Sequence, residues 1–352
     1  MKTENIRCIL FGKEGFEKEI LWRPCAEYLR DALTAAGFKT IVVTAEPEGR
    51  GRGDFTLALR SDAVPEDMAA LTRLTDGFEG GEISLRLPDG EEIGSITGGF
   101  SETPARRETL PCVRGFLADA DAYERFALTQ RINRDNLTRL MQNGVRFLST
   151  DGVLICPDAV IGDGCEILPG VVIKGGVRLG KGCVVGPDTL IEDSEAGDGC
   201  VINSSQVYSS RIGSNVRIGP FSHIRPNCEV RDGVKIGDFV ELKNSVIGEN
   251  TSVAHLTYVG DSDVGSRVNF GCGCVTVNYD GRVKSRTVIG DNVFIGCNTN
   301  LVAPVTVEDG SYIAAGSTIT DTVPEDSLAI ARARQVVKDG WAKRRREKKP
   351  RL

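Results

Sequence analysis

Several residue types are scarce in this 352-residue chain, and each scarcity excludes something. Aromatic residues make up 6%, so the core must come from small aliphatic side chains. Histidine occurs only twice, so each imidazole has to be weighed singly. No apolar run reaches the ~18 residues that suggest a membrane span. The opening MKTENIRCILFGKEG lacks the apolar stretch and small-residue cleavage site of a secretory signal, so a cytoplasmic protein is expected. The 11 cysteines are odd in number and scattered, which argues against a disulfide framework and for reduced thiols used mostly as small core residues. Cys272 and Cys274 form a close pair, but no second pair or nearby His completes a zinc pattern, and no metal site is expected. No aromatic-studded basic face or recognition motif points to nucleic acid.

Glycine, by contrast, is abundant, at 41 residues against a usual ~7% of a chain, so many turns are expected. The net charge of −6 is unevenly spread. Residues 338–352 hold eight basic and two acidic side chains, which leaves −12 for the remainder. Such a tail is either a solvated end or an arm for phosphates.

The chain reads in four parts. Residues 1–116 read as a small α/β domain. Ile6 to Phe11 suits a buried strand. Leu29, Ala32, Leu33 and Ala36 give a helical stripe that Gly37 stops, and Thr40 to Val43 suits a second strand. The intervening turn, GKEG, is not a phosphate-binding glycine fingerprint. Residues 72–105 offer only short strands. Residues 117–144 read as a helical linker arm, with Tyr123, Phe126, Ala127, Leu137, Leu140 and Met141 as its apolar stripe. The arm is expected to cap one end of the C-terminal region.

From about residue 153 aliphatic residues recur every six positions, first over Ile161 to Ile191, then over Ile212 to Leu242. They continue with some five-residue steps to Phe270, and a last series runs from Ile289 to Ile319. A period of six fits neither a helix nor a simple hairpin sheet. It fits a parallel β-helix in which each unit is one short strand plus a turn, and three units make an 18-residue coil. Residues 145–337 are assigned to this β-solenoid and 338–352 to the basic tail. NYDGRVKSR breaks the beat and reads as a projecting loop.

Chemistry-bearing residues are few. His255 lies in AHLTYVGD, with Tyr258 and Asp261 following and Asn269 one coil on. It is either a structural residue or a general base. Arg225 and Lys243 are one coil apart, which stacks them nearly 5 Å from each other. They are either a solvated pair or a phosphate site.

The strings IGPFSHIRP, IGDFVELKNSVIG, AHLTYVGDSDVGSRVNFGCG, NYDG, TVIGDNVFIG, LVAPVTV, IAAGSTIT and LAIARARQ closely resemble the acetyltransferase domain of the bacterial bifunctional GlmU family. That family joins a glucosamine-1-phosphate N-acetyltransferase to an N-acetylglucosamine-1-phosphate uridylyltransferase. The resemblance runs from Ile218 to Trp341 and implies a left-handed coil and a homotrimer with sites between prisms. It implies His255 as catalytic base, Arg225 and Lys243 as sugar-phosphate ligands, and Tyr258 and Asn269 as sugar contacts. Lys284 matches a basic residue that reaches a neighbouring subunit's site. Asn278, Tyr279, Cys272, Cys297, Ala315 and Arg332 fall at acetyl-CoA positions. Cys297 stands where Ser is common, and Cys272 where Ala is usual. The N-terminal region departs further. It is about half the family's length there, and the Gly-Thr-Arg phosphate loop is missing, so uridylyl transfer and its Mg2+ are expected to be lost. A bifunctional enzyme, a different amino-sugar acceptor and a non-catalytic scaffold are the rival readings.

Overall fold

The computed structural model describes residues 5–348 apart from 13, 45–54, 77, 79, 99–105 and 118. Lys13 of the GKEG turn, part of the 72–105 stretch and the last four residues of the basic tail lie outside the described residues. The chain divides into two compact units, Met1–Asp193 and Ser194–Leu352.

The first unit opens on a six-stranded sheet. Its strand order is Thr40–Thr44, Arg7–Phe11, Thr56–Arg60, Glu92–Gly98, Gly81–Arg86 and Arg106–Thr109. Arg7–Phe11 pairs in parallel with strands on both sides, Cys8 opposite Ile41 on one and Leu57 on the other. The crossover helix Cys25–Ala35 buries Cys25, Ala26, Leu29 and Leu33 against the sheet. Gly37 ends it with φ of +94°, a conformation that costs a residue with a Cβ. The strand–helix–strand start therefore forms as the sequence suggests. Thr56–Arg60 adds a strand, and the antiparallel pair Gly81–Arg86 and Glu92–Gly98 has longer strands than the short ones expected there. The pair alternates inward Ile83 and Leu85 with Ile93 and Ile96 around the Pro88-Asp89-Gly90 turn.

Helix Ala122–Gln142 starts on a capping box, Asp121 accepting from the Glu124 amide and Glu124 from the Asp121 amide. Its inward face corrects the expected stripe. Tyr123, Phe126 and Met141 are exposed, and the buried residues are Leu128, Asn133, Asn136, Leu137 and Leu140. The true stripe includes two asparagines, which a search for apolar periodicity passes over. Their partners are in the first coil of the solenoid. Asn133 Nδ2 donates to Val153 O at 2.8 Å and its Oδ1 accepts from Ile155 N at 3.3 Å. Asn136 Nδ2 donates to Ile155 O at 2.9 Å. Val153 to Ile155 edge that coil, so the side-chain amides stand in for an absent strand.

In the coils of this unit, Leu154 pairs with Val172 and Val160 with Arg178, 18 residues apart in each case. One residue of each two-residue strand points inward, so Ile155, Ile161, Ile167, Ile173, Leu179 and Val185 are buried. Turns fall at Gly164, Gly170, Gly176 and Gly182, each with φ between 64° and 74°.

The second unit continues the same rule in three sheets of parallel strands. This is the left-handed parallel β-helix of hexapeptide repeats. Pairing is 18 residues apart at His223 and Glu241, and 17 at Glu241 and Tyr258. It jumps to 25 at Asn269 and Phe294, then returns to 18 at Phe294 and Tyr312. The jump is the insertion that begins after Val277, and Tyr279 to Lys284 within it are all exposed. The basic tail contains the exposed helix Trp341–Lys348, where the Arg345 guanidinium lies 5.1 Å from the Trp341 ring centre. Among the described residues no helix is long and apolar enough to cross a membrane.

Candidate active site

The site is built in the second unit, where strand Ser252–His255 turns through Leu256 and Thr257 into strand Tyr258–Gly260. Parallel pairing stacks equivalent residues of successive coils into columns. Asp238 pairs with His255. The column then continues through Cys272, Cys297 and Ala315, whose backbones follow in register. Gly273 N donates to His255 O at 3.4 Å, Asn298 N to Cys272 O at 2.8 Å, and Gly316 N to Cys297 O at 2.8 Å. Arg332 closes the top, its Nη1 donating to Ala315 O at 2.9 Å.

Within this column His255 Nδ1 lies 2.8 Å from Asp238 Oδ1. An ionised carboxylate can only accept, so Nδ1–H donates to it and Nε2 keeps the lone pair a general base needs. The hydrogen bond from His255 holds the Asp238 carboxyl below the usual range. The imidazole is 59% exposed, so it meets solvent or a ligand and not a core. Asp238 was not among the expected site residues. Its signal was its place 17 residues before His255, one coil in this stretch.

A second cluster forms on the adjoining face. Arg225 Nη1 donates to Glu241 Oε1 at 2.9 Å. Lys243 stands one coil above Arg225, and its Nζ is 3.5 Å from Asp261 Oδ2. Asp261 is the hub. It is buried, with Asn244 Nδ2 donating to its Oδ1 at 2.6 Å and Asn278 Nδ2 donating to its Oδ2. Burial alone would raise its pKa, but the Asn244, Asn278 and Lys243 contacts outweigh that and hold it below the ordinary value. Asn278 also donates to Tyr258 Oη at 3.4 Å. The Tyr258 ring lies across Gly260, where an added Cβ would sit 2.5 Å from Cζ, so only glycine leaves the ring that place.

Lys284, at the end of the projecting loop, lies against Lys243 of the same chain, and this crowding holds the Lys284 ammonium below its usual range. The loop is shaped by Asp280 Oδ1, which accepts from the Arg282 and Val283 amides at 2.7 Å each, and by a bridge between Tyr279 and Lys284. Three cations thus converge on Glu241 and Asp261, and an anion would relieve the repulsion between the two lysines. Asn269, exposed, sits on the strand after Ser252.

Beside the column lie three exposed apolar residues at one corner, Phe221, Phe239 and Leu256, with φ of 58°, 56° and 44°. The two Phe rings stack at 5.5 Å. The next coil has Gly273 at this corner, where positive φ is cheap.

The description "Bacterial transferase hexapeptide (six repeats)" fits residues 158–193, 209–244 and 286–321. Among curated proteins, a "Bifunctional protein GlmU" of Thermoanaerobacter pseudethanolicus is 55% identical over 210 residues, 60% of this chain and 46% of the relative. The one from Caldanaerobacter subterraneus is 45% identical, covering 80% of this chain and 60% of the relative. The one from Clostridium acetobutylicum is 38% identical over 373 residues, covering 94% of this chain and 79% of the relative. The alignments with the first two therefore span 46% and 60% of those relatives' length.

Proposed function

Because the chain belongs to the GlmU family, we propose that its coils transfer acetyl from acetyl-CoA to the amine of glucosamine-1-phosphate, giving N-acetylglucosamine-1-phosphate. The observation that carries this reading is the corner itself: an exposed imidazole oriented by Asp238 ends one strand, and the next begins at Tyr258, which interacts with the clustered Arg225 and Lys243. An amine acceptor needs a base, because much of it is protonated in water. A phosphate needs the cations. On this reading Arg225, Lys243 and Lys284 hold the phosphate, and Tyr258 and Asn269 face the sugar. His255 Nε2 takes the amine proton as nitrogen attacks the thioester carbonyl, and the CoA thiolate leaves. Holding both reactants in one corner supplies the proximity term. The amide of Asn278, or a backbone N–H, serves the oxyanion.

The donor lies along the column, against Cys272, Asn278, Tyr279, Cys297, Ala315 and Arg332. The working module is residues 145–337, with residues 117–144 as linker. The protein acts in the cytoplasm as a homotrimer. The exposed Phe221, Phe239 and Leu256, held at positive φ beside the site, support a neighbouring copy packing there.

The uridylyl step is absent on this reading. In an open parallel sheet the nucleotide crevice lies at the C-terminal ends of the strands where chain order reverses, here Arg7–Phe11 and Thr56–Arg60. Ser61 closes that mouth. Its Oγ donates to Gly12 O at 3.0 Å and accepts from Gly15 N at 3.1 Å. A Cβ on Gly15 would sit 2.8 Å from Asp62 N, so the loop rests directly on the next strand's end.

The test is CoA release from acetyl-CoA with glucosamine-1-phosphate, wild type beside His255→Ala, with a no-acceptor blank. Acceptor-dependent release that falls at least ~100-fold in the variant is expected. No release above the blank with any amino-sugar phosphate would leave the scaffold reading.

A further inference from the structure

All eleven cysteines are free thiols, but they fall into two kinds. Nine are buried, and burial pushes Cys8 and Cys112 up to about 12 and Cys25 and Cys274 up to about 11. Such thiols are inert core residues. The other two, Cys272 and Cys297, are open to solvent, Cys297 exposed and Cys272 half-buried. They are also neighbours. Asn269 pairs with Phe294 and Phe270 with Ile295, which puts Cys272 and Cys297 in register on adjacent coils. The amide after Cys297 donates to the Cys272 carbonyl at 2.8 Å, and a Cβ on Gly271 would lie 2.5 Å from Cys297 N, so the two backbones are in close contact. In-register parallel neighbours are ~4.8 Å apart, within the ~4.4–6.8 Å that a disulfide spans between Cα atoms. His255 is the next residue down the same column.

We infer that Cys272 and Cys297 form a reactive dithiol, a modification site at which a low-molecular-weight disulfide closes the pair and stops acetyl transfer. In the first step one thiolate attacks a sulfur of the reagent disulfide and releases one reagent thiol. The second cysteine attacks the mixed disulfide and releases the other. Two cysteine thiols are oxidised to one disulfide, the reagent is reduced to two thiols, and the two cysteine protons pass to the leaving thiolates. The dithiol itself stands on register and exposure alone. The effect on activity rests on the proposed role of this column in holding the acetyl donor. A cross-link there fixes two side chains that line the donor's path, directly above the base.

The full-length protein is treated with oxidised glutathione, the remaining thiols are alkylated after unfolding, and peptides are mapped without reduction. A Cys272–Cys297 link is expected, with the nine buried cysteines still reduced. Cys274 shares the tryptic peptide of Cys272, so Cys272→Ala is mapped in parallel and should lose the link. Acetyl transfer should fall about 100-fold, the scale of a small misplacement at a reacting centre, and return with dithiothreitol. Cys297→Ser, compared with its own untreated rate, should resist the reagent. Stable mixed glutathione adducts without a link, or a link that survives Cys272→Ala, would overturn the dithiol. A mapped link with undiminished turnover would overturn its control of the reaction. If untreated protein transfers no acetyl group, the enzymatic reading fails while the peptide map still decides the dithiol.

Discussion

Two strand-end corners of this chain meet the same physical problem and resolve it in opposite ways. At the mouth of the α/β sheet, the loop after Arg7–Phe11 folds onto the end of Thr56–Arg60. Ser61 ties both ends of that loop together, and Arg60 Nε donates to the fully buried Asp62 at 2.5 Å. Ser61, the Gly15 amide and Asp62 are thus matched within the chain. At the corner after Ser252–His255, matching is incomplete. The imidazole faces outward, and two lysines crowd each other on the adjoining face. A parallel sheet offers binding positions wherever strands end. On the proposed function, what separates the closed corner from the open one is whether the chain has already satisfied the groups that gather there.

Substitutions can break or sharpen that contrast. The largest effect is expected for Asp238→Asn, which keeps the shape but no longer fixes the imidazole tautomer. Turnover should drop by about 10- to 100-fold, the scale of losing a carboxylate that orients a metal-bound histidine. A steady-state assay that finds turnover unchanged would show that Asp238 is a mere neighbour. Next comes Lys243→Ala. One charge-assisted bond is worth ~1.5–3 kcal/mol, so KM for the sugar phosphate should rise about tenfold or more, while glucosamine without a phosphate should be unaffected. An equal loss with both acceptors would place the lysine elsewhere in the mechanism.

Ser61→Ala tests the closed corner. It leaves the Gly15 amide without its acceptor, at a cost of roughly 1–3 kcal/mol in denaturant unfolding, with turnover at the coils unchanged. If instead UTP begins to bind with Mg2+, the closure is what kept it out. The smallest effect is acid sensitivity. Asp261's folded pKa lies below its unfolded value, so its stabilisation is complete above the ordinary ~3.9 and fades as pH falls through the lower, folded value. Thermal midpoints measured down that range should decline less steeply in Asp261→Asn than in the wild type.

Legibility followed the same divide. The coils were readable because one inward position in six must be aliphatic along the whole prism, and nothing else imposes that beat. Arg225 and Lys243 fell in one column because coil length converts sequence spacing into contact, whereas Asn269 stacks on Ser252 and the coil neighbour of His255 is Cys272. Asp238 was legible by the same arithmetic but carries no motif, and Asp261's place as hub depends on positive φ of 49° that no pattern announces. In the α/β region only the first strand, helix and second strand stood out. Arg106–Thr109 is an edge strand of Arg-Arg-Glu-Thr with no apolar signal at all. The helix face misled because Asn133 and Asn136 are buried for their amides, which hydropathy counts as surface.

Those two asparagines also bear on how the protein behaves in a crowded solution. A β-solenoid is a stack that any further strand of suitable length can extend, and a bare terminal coil would recruit one from another molecule. Asn133 and Asn136 occupy the donors and acceptors at the end of one of the three sheets. A chain with leucine at both positions would keep its helix and its apolar contacts, yet present an unblunted edge. Filament formation, seen as scattering that climbs with protein concentration, is the outcome expected of that double variant.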